Sequence, residues 1–212
     1  MRFLVLSDVH SHNEVKHWAN AAIEDLGARG VIILGDITHF GPSYWAEEFI
    51  SSLEAPVFAI PGNCDPLDTP EYIEAAGTLL HGRRVEVAGE TFIGLGGSNP
   101  TIFDTPFEMS EEDIDAKLRP LMVEDAVLIT HTPPHGINDL IHSGLHVGST
   151  AIAAIVDEYR PKLVLSGHVH EARGIVERNG TILMNPGAAK DSFAGLLDIG
   201  DRIRVELLDR MA

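Results

Sequence analysis

The chain has 212 residues, carries a formal net charge of −17 at pH 7 and is 44% hydrophobic. This length is typical of one domain, here residues 1–212, and the composition excludes a disordered or collagen-like chain. The negative charge disfavours nucleic acids and anionic membranes as partners bound by surface charge. The single cysteine, Cys64, excludes an internal disulfide, and 11 histidines are many for so acidic a chain. Without a long apolar run or a signal-like N-terminus, we expect a cytoplasmic protein.

Five short apolar runs each lead into a polar side chain of a type that binds metal ions. Continuous β-branched runs of this length predict strands that are buried on both faces. Strand ends collect at one edge of a sheet, where ligands usually bind, so we expect the five polar side chains to converge in one crevice. The runs are residues 3–7, 31–35, 57–62, 126–130 and 163–167, followed by Asp8, Asp36, Asn63, His131 and His168.

Helical periodicity occupies several segments between these runs. Apolar residues recur at helical spacing from Val15 to Leu26, with Asn13 as the expected N-cap and Gly27 or Gly30 as the end. Further helices are predicted over residues 43–53, over 69–77, over 110–119 with a capping box at Ser110, and between the cap Ser149 and Pro161.

Three pairs of short segments around turn residues predict β-hairpins. They are residues 83–87 with 91–95, 172–177 with 181–184, and 194–199 with 202–208. Alternating strands and helices imply right-handed βαβ units with helices on the sheet faces. We therefore predict an α/β fold in which two mixed sheets pack together with helices outside.

Short motifs at the strand ends supply two carboxylates, one amide and four imidazoles. In Asp8-Val9-His10 and His168-Val169-His170, an extended backbone places both side chains on one face. Mixed nitrogen and oxygen ligands suit Mn, Fe, Ni, Co or Zn better than Ca. Together with Gly35-Asp36, Gly62-Asn63-Cys64-Asp65 and His131, the ordered set resembles the calcineurin-like metallophosphoesterase superfamily over roughly residues 2–190. The small stand-alone archaeal and bacterial phosphodiesterases are the most similar members.

The resemblance implies a four-layer αββα sandwich with a dinuclear centre of two divalent metal ions. The implied ligands are Asp8, His10, Asp36 and His170 for one ion, and the bridging Asp36 with Asn63, His131 and His168 for the other. The implied activity is that of a metal-dependent phosphoric ester hydrolase. A metal-bridging hydroxide would attack in line a small phosphodiester, which we expect to be preferred over a phosphomonoester.

The sequence departs from the family pattern at Cys64, where much of the superfamily has a histidine that acts as general acid or phosphate contact. A thiol is a poor substitute, so we expect either good leaving groups or an acid supplied elsewhere. The candidate catalytic residues are Asp36, Asn63 and Cys64, and the candidate substrate-binding residues are His12, His39 and His135. His142 and His146 share the long loop 132–148 with His135, and segment 96–110 is a candidate lid.

Two other functions stay open from the sequence. A non-catalytic metal-binding scaffold of the same fold, such as a retromer coat subunit that has lost ligand residues, is disfavoured because all seven ligand positions are present. A nuclease is less favoured still, because the chain is acidic and short. The expected partner is a small phosphorylated substrate, and a homo-oligomer is left open.

Overall fold

The computed structural model describes residues 1–209, which form twelve strands and five α-helices. The strands are β1 (Arg2–Leu6), β2 (Gly30–Ile33), β3 (Val57–Ala59), β4 (Thr78–Leu79), β5 (Arg83–Val87), β6 (Glu90–Leu95), β7 (Val127–Thr130), β8 (Leu163–Leu165), β9 (Gly174–Arg178), β10 (Thr181–Asn185), β11 (Ala194–Ile199) and β12 (Ile203–Leu208). The helices are α1 (Glu14–Leu26), α2 (Tyr44–Ser51), α3 (Thr69–Ala76), α4 (Glu111–Leu118) and α5 (Thr150–Tyr159).

The strands divide into two mixed sheets of six, as the sequence predicts. The first has the order β12-β11-β1-β2-β3-β4, and the second has the order β5-β6-β7-β8-β10-β9. Parallel pairing runs from β1 to β4 and from β6 through β7 and β8 to β10. The predicted hairpins supply the antiparallel strands, which therefore flank two parallel cores.

Three apolar layers hold the fold together, which explains the uninterrupted hydrophobic runs. In β1, Leu4 and Leu6 pack under helices α1 and α2, whereas Phe3 and Val5 pack between the two sheets. A third layer lies between the second sheet and helices α4 and α5, where Leu128 of β7 contributes. Because each central strand is covered on both faces, alternate residues enter different cores. The result is the four-layer αββα sandwich.

The predicted helices form, with small corrections at their ends. Ser110 accepts a hydrogen bond from Asp113 N (3.1 Å) and Ser149 accepts one from Ile152 N (3.2 Å), so both predicted caps are confirmed. Gly27 ends α1 in the left-handed conformation. Asn13 is the N-cap residue of α1, as predicted, but its side chain makes no capping hydrogen bond and its backbone is already helical. Among residues 1–209, no helix is long and apolar enough to cross a membrane.

His81 follows the short strand β4, which was not predicted, and is held in its neutral form. Its Nδ1 accepts a hydrogen bond from Gly96 N (2.9 Å), so the proton must sit on Nε2. Burial, with smaller contributions from the charges of Lys117 and Arg83, lowers the pKa of His81 from 6.5 to about 4. The unfolded chain therefore binds a proton between these pH values that the folded chain does not.

We predict that His81 makes the fold acid-sensitive. A lowered pKa stabilises the native state fully above pH 6.5, and this contribution is lost as the pH falls towards 4. Urea unfolding across this range should show wild type losing about 2–3 kcal/mol more than His81→Gln, which still offers an acceptor to Gly96 but does not titrate. Parallel stability profiles for the two proteins would contradict this prediction.

Candidate metal centre

The loops at the carboxyl ends of the parallel strands bring the seven sequence-predicted ligand residues together. Asp8 and His10 follow β1, Asp36 follows β2 and Asn63 follows β3, whereas His131 follows β7 and His168 and His170 follow β8. The two sheets are joined here by a direct hydrogen bond, from His168 N to Asp8 Oδ2 (3.1 Å). The centre therefore lies where the edges of both sheets meet.

Asp36 lies between two groups of candidate ligands. Its Oδ2 is 3.6 Å from His10 Nε2, and its Oδ1 is 3.5 Å from His131 Nε2. The carboxylate is buried, and its Oδ1 also accepts a hydrogen bond from Cys64 N (2.8 Å). One carboxylate thus faces an imidazole nitrogen on each side.

Asp8 completes the first group and contains an unpaired oxygen. Its Oδ1 is fully buried and accepts no hydrogen bond, although it lies 3.2 Å from His170 Nε2 and 3.9 Å from His10 Nε2. A buried carboxylate oxygen without a partner is costly unless a cation is bound to it. The donor set around this atom, two imidazoles and two carboxylates, fits a divalent transition metal.

Asn63 and His131 are oriented by hydrogen bonds outside the centre. His131 Nδ1 lies 2.7 Å from the Leu34 carbonyl and must donate to it, which leaves Nε2 facing Asp36 and Asn63. Asn63 Nδ2 donates to Thr105 Oγ1 (3.0 Å), which turns Oδ1 towards His131 Nε2 (2.9 Å). Such outer hydrogen bonds fix the ring and amide orientations that metal ligands require.

The loop that carries His168 and His170 is held by the Asn185-Pro186-Gly187 segment. Asn185 is fully buried, and its Nδ2 donates to Val169 O (2.9 Å). His168 packs edge-on against His131, with ring centroids 5.1 Å apart, and so belongs to the second group. This segment therefore positions the loop that carries both histidines.

The backbone around the centre is strained in a way that brings ligands close. Asp8, His10, Asp36 and His168 all have positive φ, between 46° and 66°. Such conformations cluster at functional sites, where surrounding contacts maintain them. Gly62 packs directly against Asp36, and any β-carbon there would collide with Oδ1. Glycine at this position is a steric requirement of the site.

Asp65 is a structural clamp within the motif Gly62-Asn63-Cys64-Asp65. It is fully buried and accepts hydrogen bonds from the backbone N–H groups of Ile37 (3.1 Å), Thr38 (2.7 Å) and Gly62 (2.7 Å). These bonds join the loop after β2 to the loop after β3. Burial and the charge of Asp36 raise the pKa of Asp65 to about 6 despite these donors.

The buried charges at the centre perturb one another strongly. Burial alone would raise the pKa of Asp8 and of Asp36, but neighbouring imidazoles, His170 and His131, hold both below their ordinary value. Burial would lower the pKa of His131, yet the carboxylates of Asp36 and Asp8 raise it to about 9. Burial and the charge of His131 lower the pKa of His168 to about 4. In the described residues the two carboxylates are thus balanced by imidazole charge.

The other predicted site residues differ in their distance from this centre. Cys64 is largely buried beside Asn63, whose Nδ2 is 3.6 Å from the sulfur, and burial and the charge of Asp36 raise the pKa of its thiol. His39 Nδ1 lies 3.3 Å from His10 Nδ1, on the outer side of that ring. His12 is exposed and its Nδ1 lies 3.0 Å from the His10 carbonyl. His135 is exposed in the loop 132–148, with its ring 5.6 Å from that of His146.

Thr105 and Glu108 are site residues that sequence analysis missed. Thr105 Oγ1 accepts a hydrogen bond from Asn63 Nδ2. Glu108 Oε1 in turn accepts hydrogen bonds from Thr105 Oγ1 (2.6 Å) and Thr101 Oγ1 (2.6 Å). Both lie in segment 96–110, which sequence analysis took only as a candidate lid. Nothing local marks a threonine and a glutamate in a polar loop as positioning residues, since the contact with Asn63 spans 42 residues of sequence.

The sequence model of the calcineurin-like phosphoesterase family matches residues 1–172 of this chain. The chain belongs to the calcineurin-like phosphoesterase family. An uncharacterized protein of Methanocaldococcus jannaschii is 32% identical over 165 residues, covering 74% of this chain and 76% of that protein. Family membership supports a metal-dependent hydrolase of phosphoric esters, and the clustered Asp, His and Asn residues are the candidate ligands.

Solved structures confirm the phosphoesterase fold over nearly the whole chain. A Thermus thermophilus protein superposes with a TM-score of 0.75 at 18% identity, covering 98% of both chains. An archaeal phosphodiesterase superposes with a TM-score of 0.59 at 19% identity, covering 98% of this chain and 100% of that one. Likeness at these identities establishes the shared fold.

We predict that Asp65 maintains the phosphoesterase centre by stabilising the two loops that it joins. Asp65→Ala leaves three buried N–H groups without acceptors and should lower the free energy of unfolding by about 3–5 kcal/mol. Chemical denaturation measures this loss, and the exposed turn variant Asp201→Asn should change stability by less than about 0.5 kcal/mol. A loss below about 1 kcal/mol for Asp65→Ala would mean that the clamp is not needed.

Proposed function

We propose that this phosphoesterase is a dinuclear enzyme that hydrolyses small phosphodiesters in preference to phosphomonoesters. The observation that carries the proposal is the position of Asp36, whose two oxygens face Nε2 of His10 on one side and Nε2 of His131 on the other. A single carboxylate placed in this way suits a bridge between two cations. The proposal agrees with the family membership and with the phosphodiesterase named among the structural neighbours.

Two ligand groups share Asp36 in this proposal. Asp8, His10 and His170 would hold one ion with Asp36, and Asn63, His131 and His168 would hold the other. The unpaired buried oxygen of Asp8 and the outward hydrogen bond of His131 to Leu34 favour this assignment, because both leave a ligand atom directed into the centre. Two such ions would supply an activated water for in-line attack and neutralise charge on the phosphate oxygens.

The metal-loaded centre would suit an anionic substrate although the chain itself is acidic. Its net charge of −17 disfavours phosphates elsewhere on the surface. The two carboxylates of the ligand set carry half the charge of two divalent cations, so the loaded centre is positive. A small phosphate ester would therefore bind at the centre rather than on the surrounding surface.

His39 is the best placed of the three histidines predicted to contact substrate. Its Nδ1 lies 3.3 Å from His10 Nδ1, and its ring is exposed beside Phe40, with centroids 4.8 Å apart. Cys64 lies beside Asn63, and burial and the charge of Asp36 raise the pKa of its thiol, so it would shape the phosphate site without serving as an efficient general acid. We assign to His39 the proton transfer to the leaving oxygen, which Cys64 cannot supply efficiently.

We predict that Asp36→Asn removes activity and metal together. Loss of the shared carboxylate should lower kcat/KM for bis(p-nitrophenyl) phosphate by at least about 10³-fold. Metal analysis after gel filtration should fall from about two ions per wild-type chain to one or fewer in the variant. The exposed α1 variant His17→Ala is the matched control and should keep both values. If the wild-type protein held fewer than one ion per chain, a non-catalytic scaffold would be favoured instead.

We predict that His39→Ala affects substrates according to their leaving group. For a diester with an alkoxide leaving group, kcat/KM should fall by about 10²-fold, as loss of a general acid does. For p-nitrophenolate, which departs without a proton, the loss should stay below about threefold. Assays with Mn, Ni, Co, Zn and Mg identify the best metal first, and a p-nitrophenyl monoester tests the preference for diesters. Equal losses on both leaving groups would assign His39 to binding alone.

A further inference from the structure

A pocket of about 620 Å³ opens beside the second ligand group and shares His168 with it. This volume falls within the range of small-molecule sites. One wall comes from segment 96–110 and the other from the loop 132–148. Six large apolar side chains line it, namely Ile102, Phe103, Ile141, Leu145, Val147 and Val169.

Three of these large apolar side chains are exposed to solvent. Ile102 is 93% exposed, Phe103 is 76% exposed and Leu145 is 63% exposed. Single exposed apolar residues are ordinary, but a group of them around one concave pocket marks a binding site. Filling the pocket with hydrocarbon would remove all three from water.

Three polar side chains of the pocket, those of Asn99, Thr101 and His142, are already engaged within the protein. Asn99 donates to Val147 O (3.2 Å) and accepts from Thr132 Oγ1 (2.9 Å). Thr101 Oγ1 donates to Glu108 (2.6 Å), and His142 Nδ1 lies 2.8 Å from Glu171 Oε1. These groups are therefore poorly available to recognise a polar or sugar-like ligand.

The described lining residues also include no permanently charged cation for a second anionic group. Among the described residues that line the pocket there is no lysine or arginine, and Glu171 adds a negative charge. A nucleoside polyphosphate or a sugar phosphate would meet histidines there, of which His142 already faces Glu171 and His146 faces Asp139. Charge and hydrogen bonding thus both favour an uncharged hydrocarbon.

The pocket is connected to the candidate ligands in two ways. His168 belongs both to its wall and to the second ligand group. Segment 96–110 carries Ile102 and Phe103, and its Thr105 accepts a hydrogen bond from the Asn63 amide. A phosphate bound at the centre would therefore have one ester group directed along this segment.

We infer that the pocket binds an aliphatic ester chain of the substrate. Alkyl phosphodiesters are therefore the preferred substrate class. This inference rests on the proposed phosphodiester hydrolysis. The apolar lining is aliphatic except for the phenyl ring of Phe103, which favours an alkyl chain over an aryl group. The chain would bury carbon that is now exposed, with the phosphate at the ligand cluster.

A series of alkyl p-nitrophenyl phosphates from methyl to octyl tests the inference, because leaving group and charge stay constant. In the metal-loaded enzyme, kcat/KM should rise by about two- to fourfold per methylene until the pocket is full, since a buried methylene contributes about 0.8 kcal/mol. Ile102→Ser and Phe103→Ser should flatten the series. Val176→Ser, an exposed change on strand β9 outside the pocket, should leave it steep.

A calorimetric titration of the inactive Asp36→Asn variant with hexyl methyl phosphate gives a readout independent of turnover. Binding should tighten with chain length and show a negative heat-capacity change, the signature of apolar burial. Hydrolysis with a flat chain-length series, or a phenyl ester preferred to hexyl, would overturn the inference and leave the proposed function intact. Chain-dependent binding without hydrolysis of any diester would support the pocket and overturn the proposed function.

Discussion

The fold depends on burying two carboxylates where the edges of two sheets meet. Asp8 and Asp36 are almost inaccessible to water, and each alone would carry a large desolvation penalty. Imidazoles surround them, and backbone N–H groups from His168 and Cys64 donate to them. These interactions join the loops of both sheets, so the charge that makes the site costly also ties the two halves of the sandwich together.

Bringing the candidate ligand atoms together around these carboxylates costs stability locally. Four candidate ligands have positive φ, and Asp8 Oδ1 accepts no hydrogen bond. Regular packing elsewhere offsets this cost, since three apolar layers cover both faces of the central strands. Asp65 and Asp36 have different roles. The buried carboxylate of Asp65 accepts backbone hydrogen bonds that stabilise the loops, whereas the carboxylate of Asp36 faces two imidazoles and can bind a cation.

Under the proposed function, reactivity and specificity come from different parts of the chain. The ends of rigid parallel strands carry the candidate ligands, whereas the segments 96–110 and 132–148 form the apolar pocket beside them. Loops tolerate exposed Ile102 and Phe103 because no core packing depends on those side chains. Differences among such loops would allow one phosphoesterase centre to serve esters of different organic groups.

The sequence by itself determined eleven of the twelve strands among residues 1–209, most helix boundaries and the seven candidate ligands. These follow from local periodicity and from motifs whose residues are close in the chain, as in Asp8-Val9-His10. Only the tertiary structure decided which ligand atoms face inward, because that depends on distant contacts. The bond from His168 to Asp8 spans 160 residues, and that from Asn63 to Thr105 spans 42. Such pairs meet only after the two sheets pack, which local sequence patterns do not encode.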